Sequence, residues 1–78
     1  MMFSYNIAKT ADAKVFAKAC GLIEKNVSIV KKEDTITDVD GSKIQIYSTA
    51  NGKIKVFNDY EVDAVYCDSD ISLDKILN

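Results

Sequence analysis

Apolar residues at positions 15, 16, 19, 20 and 23 recur with the spacing of one helical face, and no other stretch of the chain is patterned as clearly. They predict a helix over residues 10–25, with Thr10 as its N-cap, Asp12 near the positive end of its dipole and Asn26 at its exit. Gly21 interrupts it at a cost of about 1 kcal/mol relative to alanine, which points to close backbone packing or an early helix end. Cys20 belongs to the apolar stripe. Lys14, Lys18 and Lys25 fall outward as a basic ridge.

Elsewhere the period shortens to two. Phe3, Tyr5 and Ile7 alternate with Ser4 and Asn6, predicting a strand over residues 2–7. The β-branched runs at 27–31 and 35–39 predict two more strands, joined as a hairpin through the polar turn Lys32, Glu33 and Asp34. Residues 43–57 admit two readings. Alternation on both sides of Asn51-Gly52 predicts a hairpin with a tight primed turn. The competing reading is a short helix from Ser42, capped by Asp40 and turning Ile44 and Tyr47 inward, followed by one strand over 53–58. Val62, Val65, Tyr66, Leu73, Ile76 and Leu77 then share a helical face and predict a C-terminal helix over 60–77, with a break near 68–70.

Either reading gives a single α+β domain over residues 1–78. It is an open-faced sandwich, with an antiparallel sheet of four or five strands packed against two or three helices. The order is β-α-β-β-α-β-α if 43–49 is helical, and a β-α-β-β-β-β-α meander if it is not.

Composition narrows the function. The chain has 78 residues, 47% of them hydrophobic, enough for one core and no deep active site. No apolar run approaches the roughly 20 residues of a membrane span, and the N-terminus lacks a signal-peptide layout, so a soluble cytoplasmic protein is expected. Two cysteines this far apart, Cys20 and Cys67, suggest reduced thiols rather than a disulfide framework. The net charge of −2 hides segregation, with about +4 over residues 1–32 and −5 over 59–78. Every cation is lysine. Without arginine, specific nucleic-acid binding is not expected.

The run DAKVFAKACGLIEKNVSI over residues 12–29 is similar to the first helix and second strand of HPr, the phosphocarrier family of the bacterial sugar phosphotransferase system. VDGSKI over 39–44 resembles the start of that family's second helix. The resemblance implies the β-α-β-β-α-β-α order and a place in phosphotransferase regulation. HPr carries phosphate on a histidine at the start of its first helix, and this chain has no histidine. The matching position falls near Lys9, and Ala11 and Asp12 stand where the family has arginine and proline, so histidine phosphotransfer is chemically excluded. The family's regulatory serine would fall on Lys43 by position or Ser42 by proximity.

Little other chemistry remains. Neither cysteine has an imidazole to activate it, and no enzyme activity or cofactor is expected. The acids at 38 and 40, and at 68, 70 and 74, lack the glycine and carboxylate spacing of a calcium loop. If 43–57 is a hairpin, Ile46, Tyr47, Phe57, Tyr60 and Tyr66 cannot all be core, and one sheet face is left for a partner unless the helices cover it. The expected function is therefore a small intracellular, non-enzymatic protein-binding or regulatory module, monomeric or weakly dimeric and away from membranes. Lys14, Lys18, Ile44 and Tyr47 would meet an unidentified protein partner. One rival is an HPr-like regulator phosphorylated on Ser42; another is a weak carboxylate-based divalent-cation binder.

Overall fold

In the computed structural model, which describes residues 2–77, the alternation of Phe3, Tyr5 and Ile7 becomes β1 (Phe3–Ala8). The apolar stripe becomes α1 (Ala13–Asn26), burying Phe16, Ala19, Cys20 and Ile23. Its N-cap is Asp12 rather than Thr10, because the Asp12 carboxylate reaches back to accept from Lys14 N (2.8 Å) and Val15 N (3.3 Å). The residues just ahead are tied down, with Ala11 N donating to Asp63 and Asp12 N to Asn58. Gly21 is exposed and a Cβ there would meet nothing within 4 Å, so neither close packing nor a helix end explains it.

The predicted hairpin of residues 27–39 does not form. β2 (Lys31–Lys32) and β3 (Ile36–Thr37) instead pair, both antiparallel, with β4 (Lys43–Thr49), as two pieces of one interrupted edge. Val27 and Ile29 pack against the core, which uses the apolar residues meant for a strand. Between the pairs Lys32↔Tyr47 and Ile36↔Ile44 the edge bulges, and the buried Gln45 side chain fills the gap. Its Nε2 donates to Glu33 O (2.6 Å), and its Oε1 accepts from Thr35 Oγ1 (2.6 Å). A bulge bonded in this way replaces the expected turn.

Residues 43–49 are strand. β4 and β5 (Gly52–Asp59) form a long hairpin, and the helix from Ser42 does not occur. Gln45 and Tyr47 point into the core while Ile44 and Ile46 point away, a period of two that no helix satisfies. The turn differs in detail from the primed one expected. Ala50 and Asn51 are its centre, neither with positive φ, and the left-handed backbone falls on Gly52 (φ +143°). A Cβ at Gly52 would lie 2.5 Å from Asp70 Cβ, so glycine is required there.

The largest correction is at the C-terminus. In place of one helix over 60–77, residues 60–63 turn, β6 (Ala64–Ser69) pairs with both β5 and β1, and only α2 (Asp74–Leu77) is helical. Val65, Cys67 and Ser69 alternate inward against Tyr66 and Asp68, so the segment satisfies the strand period as well as the helical one. Two flanking strands decide between them, since β6 gains backbone bonds on both edges.

The described residues thus run β-α-β-β-β-β-β-α, an α+β architecture in which an antiparallel sheet carries both helices. The sheet order is β1-β6-β5-β4-β2, with β3 also on β4. The core lies between α1 and one sheet face, where Tyr5, Tyr47, Ile54, Val56, Val65 and Cys67 meet Phe16, Ala19, Cys20 and Ile23. Leu73 closes it, positioned by the Tyr5 hydroxyl, which accepts from Leu73 N (2.7 Å) and donates to Asp74 (2.8 Å). No helix among the described residues is long and apolar enough to cross a membrane.

Candidate functional site

Strand alternation that sends Tyr47, Ile54 and Val65 toward α1 sends Ile44, Phe57 and Tyr66 to the opposite face. The registers Ile36↔Ile44, Ile44↔Phe57 and Phe57↔Tyr66 place these four side chains in one row across β3, β4, β5 and β6. The Phe57 and Tyr66 rings are stacked, with centroids 4.5 Å apart and planes 10° from parallel. Phe57, Tyr66 and Ile44 are half-buried, and Ile36 is 53% exposed. The neighbouring row, Ile46, Lys55, Asp68 and Ser4, is mostly polar, and Ser4 donates to Asp68 (3.0 Å). Apolar surface is therefore concentrated toward one end of the sheet.

At that end two loops meet. Tyr60 N donates to Ser42 Oγ (2.9 Å), and the Tyr60 ring lies over Gly41, whose φ of +88° suits glycine. Together the loops and the row line a groove of about 400 Å³ whose floor is Ile36, Ile44, Phe57 and Tyr66. Its rim carries Asp38, Asp40, Asp59 and Glu61, with Lys43 the one cation among the lining residues. Three of these carboxylates are held by the backbone: Asp38 accepts from Val39 N (2.7 Å), Asp40 from Ser42 N (2.9 Å) and Asp59 from Glu61 N (2.9 Å). Bonding to Ser42 keeps the Asp40 carboxyl below its ordinary range. Burial, and after it the Asp59 charge, push the Tyr66 phenol up. Among the described residues the one ion pair is Lys32–Glu24 (3.2 Å), so no lysine is paired with a rim carboxylate.

The residues expected to meet a partner are not brought together. Lys14 and Lys18 stand exposed on α1, Ile44 lies on the far side of the sheet, and Tyr47 is fully buried with its hydroxyl donating to Glu24 (2.5 Å). Tyr47 is core because the hairpin register that turns Ile44 outward turns it inward. Ser42 is half-buried at the start of β4, with no helix N-terminus to receive a phosphate and with Asp40 beside it. Sequence reasoning passed over Ile36, Asp59 and Glu61 as site residues, and weighed Asp38 and Asp40 only as cation ligands or a cap. The apolar floor had a signal, the alternation that leaves apolar residues on both faces of 43–57; the acids had none, since they come from two loops that the sheet register brings together.

The remaining candidate chemistry is engaged in the fold. Burial pushes the Cys67 thiol up to about 12 and also raises that of Cys20, so both stay protonated near neutral pH. Asp68, Asp70 and Asp74 accept from Ser4, Lys53 N and Tyr5, and no group of three or more metal-ligating side chains is gathered among the described residues. No protein-family model, curated protein or solved structure matches the chain.

Proposed function

We propose that this chain is a small non-enzymatic protein-binding module, acting inside the cell, whose docking surface is the open face of its sheet. One observation carries the reading: among the described residues the row Ile36, Ile44, Phe57 and Tyr66 has no helix over it, since α1 and α2 both pack on the other side. Small domains gain stability from each apolar group they bury, and an aromatic row left accessible in a concave, polar-rimmed setting is how partner surfaces are built. Protonated thiols and the lack of histidine support a binding role over a catalytic one. Kinship with HPr stays a proposal resting on residues 12–29 and the α+β class, and its fine element order would need a helix where β4 stands.

The test is capture from the native cytosol with three baits: the wild type, an Ile44→Lys/Phe57→Lys variant and a Lys14→Glu/Lys18→Glu variant. The expected result is a partner retained by the wild type and the helix variant and lost by the sheet variant, with all three baits shown to be folded by circular dichroism. Loss on the helix variant alone, or no protein above background, overturns the reading.

A further inference from the structure

The groove has a charge as well as a shape. Its lining holds four carboxylates against one lysine, and none of the four has a lysine within 4.0 Å among the described residues. Three are pinned by backbone N–H groups through Oδ1, which fixes their direction; Oδ2 of Asp38 and Asp40 is left to accept from an occupant, while Oδ2 of Asp59 already accepts from the Tyr66 hydroxyl (3.4 Å). Apolar side chains beyond the groove lie in the same two loops: Val39 between Asp38 and Asp40 is fully exposed, and Val62 beside Glu61 is 63% exposed. Three of these acids accept local backbone N–H groups, which a neutral asparagine oxygen could also do, and the net negative charge gathered around an apolar floor costs the isolated domain through self-repulsion. A cationic occupant with an apolar anchor removes both liabilities at once.

Arginine fits the details better than lysine. Its planar guanidinium pairs with carboxylates through two N–H groups and lies flat on aromatic rings, and both partners are present in the rim acids and the Phe57–Tyr66 stack. Lysine offers a compact, strongly hydrated charge that can sit over a ring but cannot pair with a carboxylate through a planar fork. The chain contains no arginine, so a second copy of it cannot supply the group. Resting on the docking-face reading above, we propose that the groove takes an arginine-bearing peptide segment of another protein. Its apolar side chain would lie on the Ile44, Phe57 and Tyr66 row and its guanidinium against the carboxylates of Asp38, Asp40, Asp59 and Glu61.

The full chain, labelled with 15N, is titrated with four synthetic decapeptides of one design. The first alternates arginine with leucine and phenylalanine, the second replaces arginine by lysine, the third by glutamate, and the fourth by uncharged glutamine. Amide shifts centred on Ile36, Ile44, Phe57 and Tyr66 are expected with the arginine peptide. Its affinity should exceed that of the glutamate peptide by about tenfold or more, and this ratio should shrink at high salt as rim charges are screened. The lysine peptide should fall between them. Glu61→Gln, at a side chain that makes no hydrogen bond among the described residues, should weaken arginine-peptide binding several-fold with unchanged spectral dispersion. Phe57→Ser should weaken every peptide, and the arginine peptide most, since it loses a ring for the guanidinium as well as apolar floor.

Equal binding of the glutamine or glutamate peptide at the same amides overturns the arginine proposal and leaves the docking face standing. Shifts that centre on α1 overturn both. If no peptide binds and sedimentation shows the chain associating through this face, the occupant is a second copy and the proposal is wrong. If no peptide binds and the chain stays monomeric, the proposal is likewise wrong.

Discussion

Tyr47 shows how much one hydroxyl can organise at the residue scale. Its ring is fully buried in the sheet, yet its O–H reaches the Glu24 carboxylate on α1, which also pairs with Lys32 on β2, so one acid ties helix, core and edge strand together. The Tyr47 hydrogen bond, and after it Lys32, hold the Glu24 carboxyl below the usual carboxylate range. The phenol is shifted upward by burial and stays protonated at every relevant pH. A depressed folded pKa means that the stabilisation is fully present above the unfolded value of about 4.3 and is lost as pH falls through the folded one. Tyr47→Phe keeps the ring and removes the bond. Because Glu24 is partly exposed, the loss at pH 7 should be about 1 kcal/mol rather than the upper range for charged hydrogen bonds. Urea denaturation of wild type and variant from pH 7 down to pH 3 checks the sign: the gap should be widest near neutrality and close below about pH 4. A gap that is constant or widens in acid would mean that Glu24 is not the linked group.

Among the elements, α1 was legible and the sheet was legible in part, for physical reasons. Helical spacing is local, so positions 16, 19, 20 and 23 declared their common face without knowledge of what covers it. The β4–β5 hairpin was legible as one of two readings, because alternation flanks a turn signal. β6 was not. Its Val65 and Tyr66 fit one helical face with Val62 and equally the two opposite faces of a strand, and only pairing on both edges, with β5 and with the sequence-distant β1, resolves the choice. The edge was misread because Val27 and Ile29 look like strand residues but serve as core packing, while the pairing falls on Lys31 and Lys32. The open-face groove shared this obscurity, since its acids come from two loops that only the sheet register brings together. Gly21 supplies the test of helix reasoning. A methyl group there meets nothing, so Gly21→Ala should stabilise the domain by the propensity difference, about 1 kcal/mol, or about 4–8 °C in Tm for a chain of this size. Differential scanning calorimetry reads it directly; an unchanged or lower Tm would mean that the helix is frayed at its middle.

For the whole molecule the decisive question is whether the C-terminal segment belongs to the cooperative unit or merely rests on it. α2 is a single turn and has no stability of its own in water, so whatever orders it must come from contacts outside it. Those contacts run through Leu73, which is 1% exposed in the same core as Ile23, Val65 and Tyr47, and through the Tyr5 hydroxyl that accepts its N–H. A side chain seated among residues of α1 and the central strands cannot leave without opening a cavity between the two layers. Leu73→Ala should therefore cost about 2–4 kcal/mol, against a total of about 4–12 kcal/mol for a domain of 78 residues. In urea, the midpoint should fall steeply at an unchanged slope, since the surface exposed on global unfolding is the same. The groove lies on the other side of the sheet, so shifts induced at Ile44, Phe57 and Tyr66 by the arginine peptide should survive wherever the variant is still folded. If instead the midpoint holds while the amides of residues 73–77 lose their protection from hydrogen exchange, the segment is a detachable flap, and the core between α1 and the sheet is complete without it.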